Sequence, residues 1–150
     1  SPEAWSEGTA LAQIVVLSRR SDLGGSYESR TFEVTSVDDD CEPIPAPAGK
    51  KEARLLWSIS GANKSDPKKW EYQATSSKSL EVNQTRFPDA LPGDVVKIRV
   101  EVLDAAADSL YKTPGYRPCL EEVDICCEAG DCAGDNPPVR WTTWKVLFQP

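Results

Sequence analysis

The chain has 150 residues, a net charge of −7 and neither histidine nor methionine. This length suits one domain with a single core, and the negative charge argues against nucleic-acid binding, because such a protein must neutralise phosphates with clustered Lys and Arg. Without histidine, the usual catalytic triads and the histidine-containing zinc sites cannot form. We therefore expect a protein that is not an enzyme.

The first part of the chain predicts an N-terminal arm followed by two strands. Residues 1–8 are mostly polar and contain a proline, so we interpret them as a candidate extended arm. Residues 9–18 and 30–37 are rich in apolar and β-branched residues and are separated by a loop with paired glycines, which predicts two strands. The first strand has two readings: an ordinary edge strand of its own domain, or a strand donated to a neighbour's sheet. The longest apolar run, 14–17, is too short to span a membrane.

Alternation of apolar and polar residues predicts the remaining strands. It is clearest where Val96, Ile98 and Val100 alternate with charged residues, which is typical of a strand with one buried face. A proline-rich stretch at 38–49 is interpreted as a long connection between sheets. The other predicted strands are 53–60, 69–74, 79–87, 121–127 and 139–148. We predict an all-β fold in which residues 1–150 form one antiparallel β-sandwich domain of seven to eight strands with long Pro-rich loops.

Two stretches carry a family resemblance. In LLWSISG, Trp57 lies at the centre of a strand, and in LPGDVVKIRVEVLDA a proline–glycine turn opens a long alternating strand. Together they resemble the immunoglobulin-like and polycystic-kidney-domain modules of surface and particle proteins. The family's glycine–aspartate–glycine turn is replaced here by GANKSDP, and no cysteine in the 94–103 strand can pair with Cys41 around the tryptophan. The resemblance implies an immunoglobulin-like sandwich and implies no ligand.

The cysteines are interpreted as disulfide formers. Four of the five lie between residues 119 and 132, with spacings that match neither a zinc site nor a redox Cys-x-x-Cys motif. Acidic neighbours also disfavour reactive thiolates. Adjacent cysteines in a strand point to opposite faces and should bond different partners. We predict two intrachain disulfide bonds, formed in an oxidising compartment, with Cys41 joining the proline-rich connection to the C-terminal strands and one cysteine left over. The candidates are Cys41, Cys119, Cys126, Cys127 and Cys132.

No cofactor is predicted, and calcium is the one metal alternative. Glu128, Asp131, Asp135 and Asn136 lie on one loop and offer the hard oxygen ligands that calcium prefers. Their spacing matches no helix-loop-helix calcium motif. We favour a solvated acidic loop over a metal site.

Four aromatic residues are candidates for ligand contacts. Trp70 and Tyr72 share one face of a predicted strand, where they would either stack on a sugar or, as is more usual for aromatics at this spacing, pack inward. Trp141 and Trp144 fall on opposite faces of the last strand. One of these two should face outward as a contact anchor.

Two short motifs complete the candidates. Asn63 and Asn83 each begin an N-glycosylation triplet. The C-terminal WKVLFQP resembles the recognition sequence of a picornaviral 3C protease without its usual glycine. Because Val146 and Phe148 continue the alternation of the last strand, we interpret this segment as native strand.

These features predict a structural or assembly subunit of an extracellular, secreted or particle-surface polymer, such as a filament, capsid or cell-surface layer. We expect it to form a homo-oligomer or polymer held by strand contacts and disulfide bonds, with protein partners, no nucleic acid and no membrane span. The alternative is a carbohydrate- or receptor-binding immunoglobulin-like module, with or without calcium, for which a glycan would be the ligand.

Overall fold

A computed structural model describes residues 8–22, 24–38, 40–45, 48–63, 69–76, 78–104, 109–110, 115–126 and 139–149. These residues contain eight β-strands and no α-helix. The strands are β1 (Thr9–Val16), β2 (Arg30–Val37), β3 (Arg54–Asn63), β4 (Lys69–Ser76), β5 (Ser79–Val82), β6 (Asp94–Asp104), β7 (Arg117–Cys126) and β8 (Val139–Leu147). The predicted all-β class is confirmed, whereas residues 1–7 of the candidate arm at 1–8 lie outside the described residues.

The eight strands form two antiparallel sheets that pack as a β-sandwich. Sheet 1 has the order β1-β6-β3-β4, and sheet 2 has the order β5-β2-β7-β8. Only β3–β4 and β7–β8 are consecutive strands that pair in one sheet, so most connections cross from one sheet to the other. Because β1 pairs with β6 of the same chain, the first strand is here an edge strand of its own domain.

The core lies between the sheets and follows the predicted alternation. On β6, Val96, Ile98 and Val100 are buried, while Lys97 and Arg99 are exposed. Trp57, at the centre of β3, is completely buried. Removing such apolar surface from water is the main force that holds two sheets together. The other large buried side chains include Phe32, Leu55, Ile59, Leu80, Phe87, Leu120 and Phe148.

A buried ion pair interrupts this apolar interior at one end of sheet 2. Arg30 donates two hydrogen bonds to the Glu122 carboxylate, at 2.6 and 2.9 Å, and the indole Nε1 of Trp144 donates a third at 2.7 Å. Glu122 is only 2% exposed. A buried carboxylate is tolerated when several donors satisfy it, so these three residues fix β2, β7 and β8 together.

Two strand boundaries differ from the predicted ones by four residues or more. β5 ends at Val82 rather than at residue 87, because Asn83 begins a turn: its carbonyl accepts from Phe87 N at 2.9 Å and its side chain from Arg86 N at 2.8 Å. β7 begins at Arg117, before the predicted 121, and includes Pro118. Pro118 lacks an N–H, but its carbonyl accepts from Phe148 N at 3.1 Å.

The two ends of the described chain lie side by side. Thr9 and Gln149 exchange two backbone hydrogen bonds, at 3.1 and 3.0 Å, and so connect the start of β1 to the segment after β8. This contact joins an edge of sheet 1 to the edge of sheet 2 that carries β8. Among the described residues, no helix is long and apolar enough to cross a membrane.

Candidate functional site

The four edge strands of the sandwich are not equivalent. β1 has an irregular register between Gln13 and Val16, and its first residue is bonded to Gln149. β8 has a register shift against β7, and β5 is only four residues long. β4 instead has eight residues, all paired with β3 without any shift. Natural proteins usually protect sheet edges with bulges, short strands, proline, charged side chains or covering segments. Within the described part of the chain, β4 has only the last but one of these devices, the exposed charges of Lys69 and Glu71.

The start of β4 is fixed from inside the sandwich by Trp70. This side chain is 6% exposed, and its Nε1 donates to the Asp94 carboxylate at 2.7 Å. The same carboxylate oxygen accepts from Leu91 N at 2.9 Å. The indole lies directly against Gly61 of β3, where a Cβ atom would come within 2.7 Å of Nε1 and still closer to two ring carbons. Gly61 is therefore what lets Trp70 pack flat against the sheet.

The middle of β4 is fixed by Tyr72. Its hydroxyl donates to Asp89 at 2.7 Å, and its ring meets Phe87 edge to face with centroids 4.9 Å apart. The hydrogen bond to Asp89 raises the pKa of Tyr72, so the hydroxyl keeps its proton as a donor. These contacts attach β4 to the connection between β5 and β6.

The end of β4 is fixed by Ser76. Its hydroxyl accepts from the indole Nε1 of the buried Trp57 at 2.8 Å and donates to the Ser79 carbonyl at 3.2 Å. Inward-facing residues thus hold the strand at its start, middle and end. Its outer edge carries no backbone hydrogen bond to another segment of the described chain. The result is a rigid strand with one unpaired edge.

A shallow groove lies beside β4 on the outward face. Small residues of β3, Ser60 and Ala62, form its floor, and Lys69, Glu71 and Lys97 form its walls. Its volume is about 460 Å³. Ser60 pairs with Glu71 on one side and with Lys97 on the other, so charges of both signs face the groove. Most of the lining surface is apolar, and the charged side chains stand at its walls.

The aromatic residues proposed as ligand contacts lie mostly in the interior of the sandwich. Trp70 is buried, and Tyr72 is half-buried with its ring against Phe87. These positions correspond to inward packing rather than to an open stacking platform. Trp144 is half-buried, lies 6.1 Å from Phe32 between ring centroids and donates to Glu122. The side chain of Trp141 lies outside the described part of the structure.

The two glycosylation candidates occupy different surroundings. Asn63, at the end of β3, is half-buried and its Nδ2 donates to the Pro92 carbonyl at 3.4 Å. Asn83 is half-buried in the turn after β5, where its Oδ1 accepts from Arg86 N. Glycosylation of either residue stays a prediction.

The predicted disulfide bond from Cys41 is not formed, because Cys41 and Cys119 are both free thiols. The segment that carries Cys41 folds back over the outer face of sheet 2: Lys145 Nζ of β8 donates to the Cys41 carbonyl at 3.1 Å, and Pro43 bridges Val37. Burial raises the pKa of the Cys119 thiol to about 11, and the nearby Glu121 adds to the effect. Disulfides form from thiolates, so this environment keeps Cys119 unreactive.

The other cysteine and metal candidates are not described. Cys127 and Cys132 lie in the 127–138 segment, outside the described residues. The side chain of Cys126 is also outside the described part of the structure. Glu128, Asp131, Asp135 and Asn136 of the calcium alternative lie in the same segment. Among the residues that the structure does describe, no group of three or more acidic or thiol side chains could hold a metal ion.

Sequence reasoning did not identify Gly61, Asp94 or Glu122, the residues that organise the interior. A glycine in the middle of an alternating strand, opposite a tryptophan, is the one signal that predicts close packing at Gly61. A carboxylate at the start of a strand carries no such signal. Comparison with protein-family models, curated proteins and solved structures gave no match to this chain.

Proposed function

We propose that this chain is a structural or assembly subunit that joins its neighbours by strand addition at β4. One observation carries the proposal: β4 is a regular eight-residue edge strand with an unpaired outer edge in the described chain. An exposed edge presents a row of backbone donors and acceptors that a strand from another molecule can satisfy.

The rigidity of β4 supports the same proposal. A binding surface that is already ordered loses little conformational entropy when its partner arrives. Trp70, Tyr72 and Ser76 hold the strand in place before any partner binds. Its outward residues are polar or charged, which keeps the edge soluble while it is unpaired.

An immunoglobulin-like core is part of the proposal. It is supported by the pairing of β2 with β5 in one sheet and of β3 with β6 in the other, which is the arrangement of the central B, E, C and F strands of that fold, and by the buried Trp57 on the third strand. The outer strands depart from the family, because β1 takes the place next to β6 and β7 the place next to β2. An extracellular or particle-surface setting rests on the cysteine content alone.

Association and its location can be measured together. Sedimentation velocity of the chain over increasing concentration should show a species larger than the monomer. Hydrogen–deuterium exchange at the same concentrations should then show new protection in β4 and unchanged exchange in the four-residue β5. A chain that stays monomeric at every concentration would argue against the proposal, and so would protection that appears everywhere except β4.

The groove beside β4 favours a second candidate, a carbohydrate- or receptor-binding module. Two of the groove's three charged side chains, Lys69 and Lys97, are positive and one, Glu71, is negative, so an acidic sugar or peptide would find a net opposite charge. Retention on an array of acidic glycans, reduced by Lys97→Ala and unchanged by Lys51→Ala, would favour this function. Lys51 is an exposed lysine outside the groove.

A further inference from the structure

We propose that β4 pairs with β4 of a second copy of this chain, antiparallel and about a two-fold axis beside Gln73. This inference rests on the assembly function proposed above and names the partner of its edge. Two features of β4 carry it: the unbroken register of the strand, and the succession of a large Tyr72 and a small Ala74 along its inner side.

The two-fold axis restricts the register. In antiparallel pairing, opposite residues lie on the same face, so only axes at single residues of β4 preserve both faces. An axis at Glu71 sets the two Glu71 carboxylates directly opposite each other. An axis at Tyr72 leaves them diagonal neighbours. Like charges at these positions destabilise a strand pair, so neither register is favoured. An axis at Trp70 sets Lys69 opposite Glu71 of the second copy, but it pairs only residues 69–71 of β4.

An axis at Gln73 separates the charges and matches the inner side chains. It sets Glu71 opposite Thr75 of the second copy, and the two Gln73 amides opposite each other. On the inner side it places the large Tyr72 beside the small Ala74 of the second copy. Tyr72 and Ala74 are half-buried and pack against the margin of the core, so this register covers the apolar surface that each copy leaves at its edge.

The pairing predicts a closed dimer with one continuous sheet running through both copies. A two-fold contact uses the same edge of each partner, and once it has formed no free β4 remains. A filament or layer built from this chain therefore needs a second, different contact in addition to β4.

Cysteine crosslinking tests the axis directly. Gln73→Cys places two thiols opposite each other across it, at the Cα separation of about 4.5–5.5 Å that paired strands have and disulfides accept. Ser58→Cys is the matched control, because Ser58 pairs with Gln73 on β3, on the same face but one strand away from the edge. Both variants keep the native cysteines. Under oxidised glutathione, we expect at least about ten-fold more reducible dimer from Gln73→Cys. Equal yields would overturn the inference.

Charge variants test the identity of the partner. Gln73→Lys and Gln73→Glu each set like charges across the axis and should weaken association up to about five-fold, whereas an equimolar mixture of the two should restore it. Gln73 is exposed, so both variants are expected to keep the wild-type melting temperature. Association that all variants leave unchanged would reject the β4 axis and keep the assembly function. A wild-type chain that is monomeric throughout would reject both.

Discussion

The contact between Gly61 and Trp70 gives the sharpest prediction about stability. In Gly61→Ala, the new Cβ would lie 2.7 Å from the indole Nε1 and closer to two ring carbons, where real Cβ atoms are essentially never found. The indole must therefore move. Overpacking of this kind costs about 1–3 kcal/mol, and losing the Nε1 donor of the buried Asp94 carboxylate adds roughly 1–3 kcal/mol.

We expect Gly61→Ala to lower the free energy of unfolding by about 2–6 kcal/mol, a large part of the 5–15 kcal/mol of a typical domain. Urea unfolding followed by tryptophan fluorescence measures it, and the melting temperature should fall by roughly 2–4 °C for each kcal/mol. Gly25→Ala is the matched control, because a Cβ there would meet nothing within 4 Å. It should change stability by less than about 0.5 kcal/mol.

A double-mutant cycle separates the clash from any intrinsic effect of alanine. Trp70→Leu removes all three ring atoms that the new Cβ would meet. In that background, Gly61→Ala should cost less than about 1 kcal/mol, which leaves a coupling energy within the range of residues in direct contact. If Gly61→Ala costs the same in both backgrounds, the packing of the indole on Gly61 is not what fixes β4, and the reasoning is refuted.

Three further predictions concern the ion pairs, the thiols and alkaline pH. Arg30→Ala should destabilise the protein by about 3–5 kcal/mol, since it removes two donors from a buried carboxylate. Arg20→Ala, which breaks the exposed pair with Asp22, should leave the stability nearly unchanged. Similar losses in the two variants would contradict the assigned role of Glu122. Iodoacetamide at pH 8 should label Cys41 well before Cys119, because Cys119 is buried and its pKa is raised to about 11. Peptide mass spectrometry measures the order of labelling. The reverse order would show that the outer face of sheet 2 is open to solvent. The pKa of Cys119 in the folded protein lies above the unfolded value near 9, so its contribution to stability is complete below pH 9 and is lost as the pH rises towards 11. Cys119→Ser should therefore flatten the plot of unfolding free energy against pH in this range. If the slope of that plot is unchanged, Cys119 is not its source.

The sequence predicted the strands because their signal is local. Val96, Ile98 and Val100 alternate with charges, and burial of one face follows directly from that pattern. The end of β5 was misplaced because Asn83 forms a turn through its own side chain, which apolar periodicity does not register. The strand predicted at 121–127 begins earlier, at Arg117, because a strand tolerates a proline such as Pro118 where its missing N–H is not needed.

The candidate site was harder to predict because it depends on contacts between distant segments. Nothing near Asp94 in the sequence indicates that its carboxylate will meet Trp70, and nothing near Arg30 indicates Glu122. The openness of β4 is likewise a property of strand order, which is decided by the whole fold. The cysteines illustrate the same limit: spacing and charge favoured disulfides, but only the fold reveals that Cys119 is completely buried.

The reciprocal hydrogen bonds between Thr9 and Gln149 have a kinetic consequence. β1 is synthesised before the other strands of this fold, yet its partner β6 follows much later, and Gln149, the partner of Thr9, follows only after β8. At about 5–20 residues per second, β1 waits unpaired on the nascent chain for several seconds. It carries the longest apolar run of the protein during that time. Folding dominated by such distant contacts is slow, in the range of milliseconds to seconds. We therefore expect a chaperone to bind the growing chain at this strand.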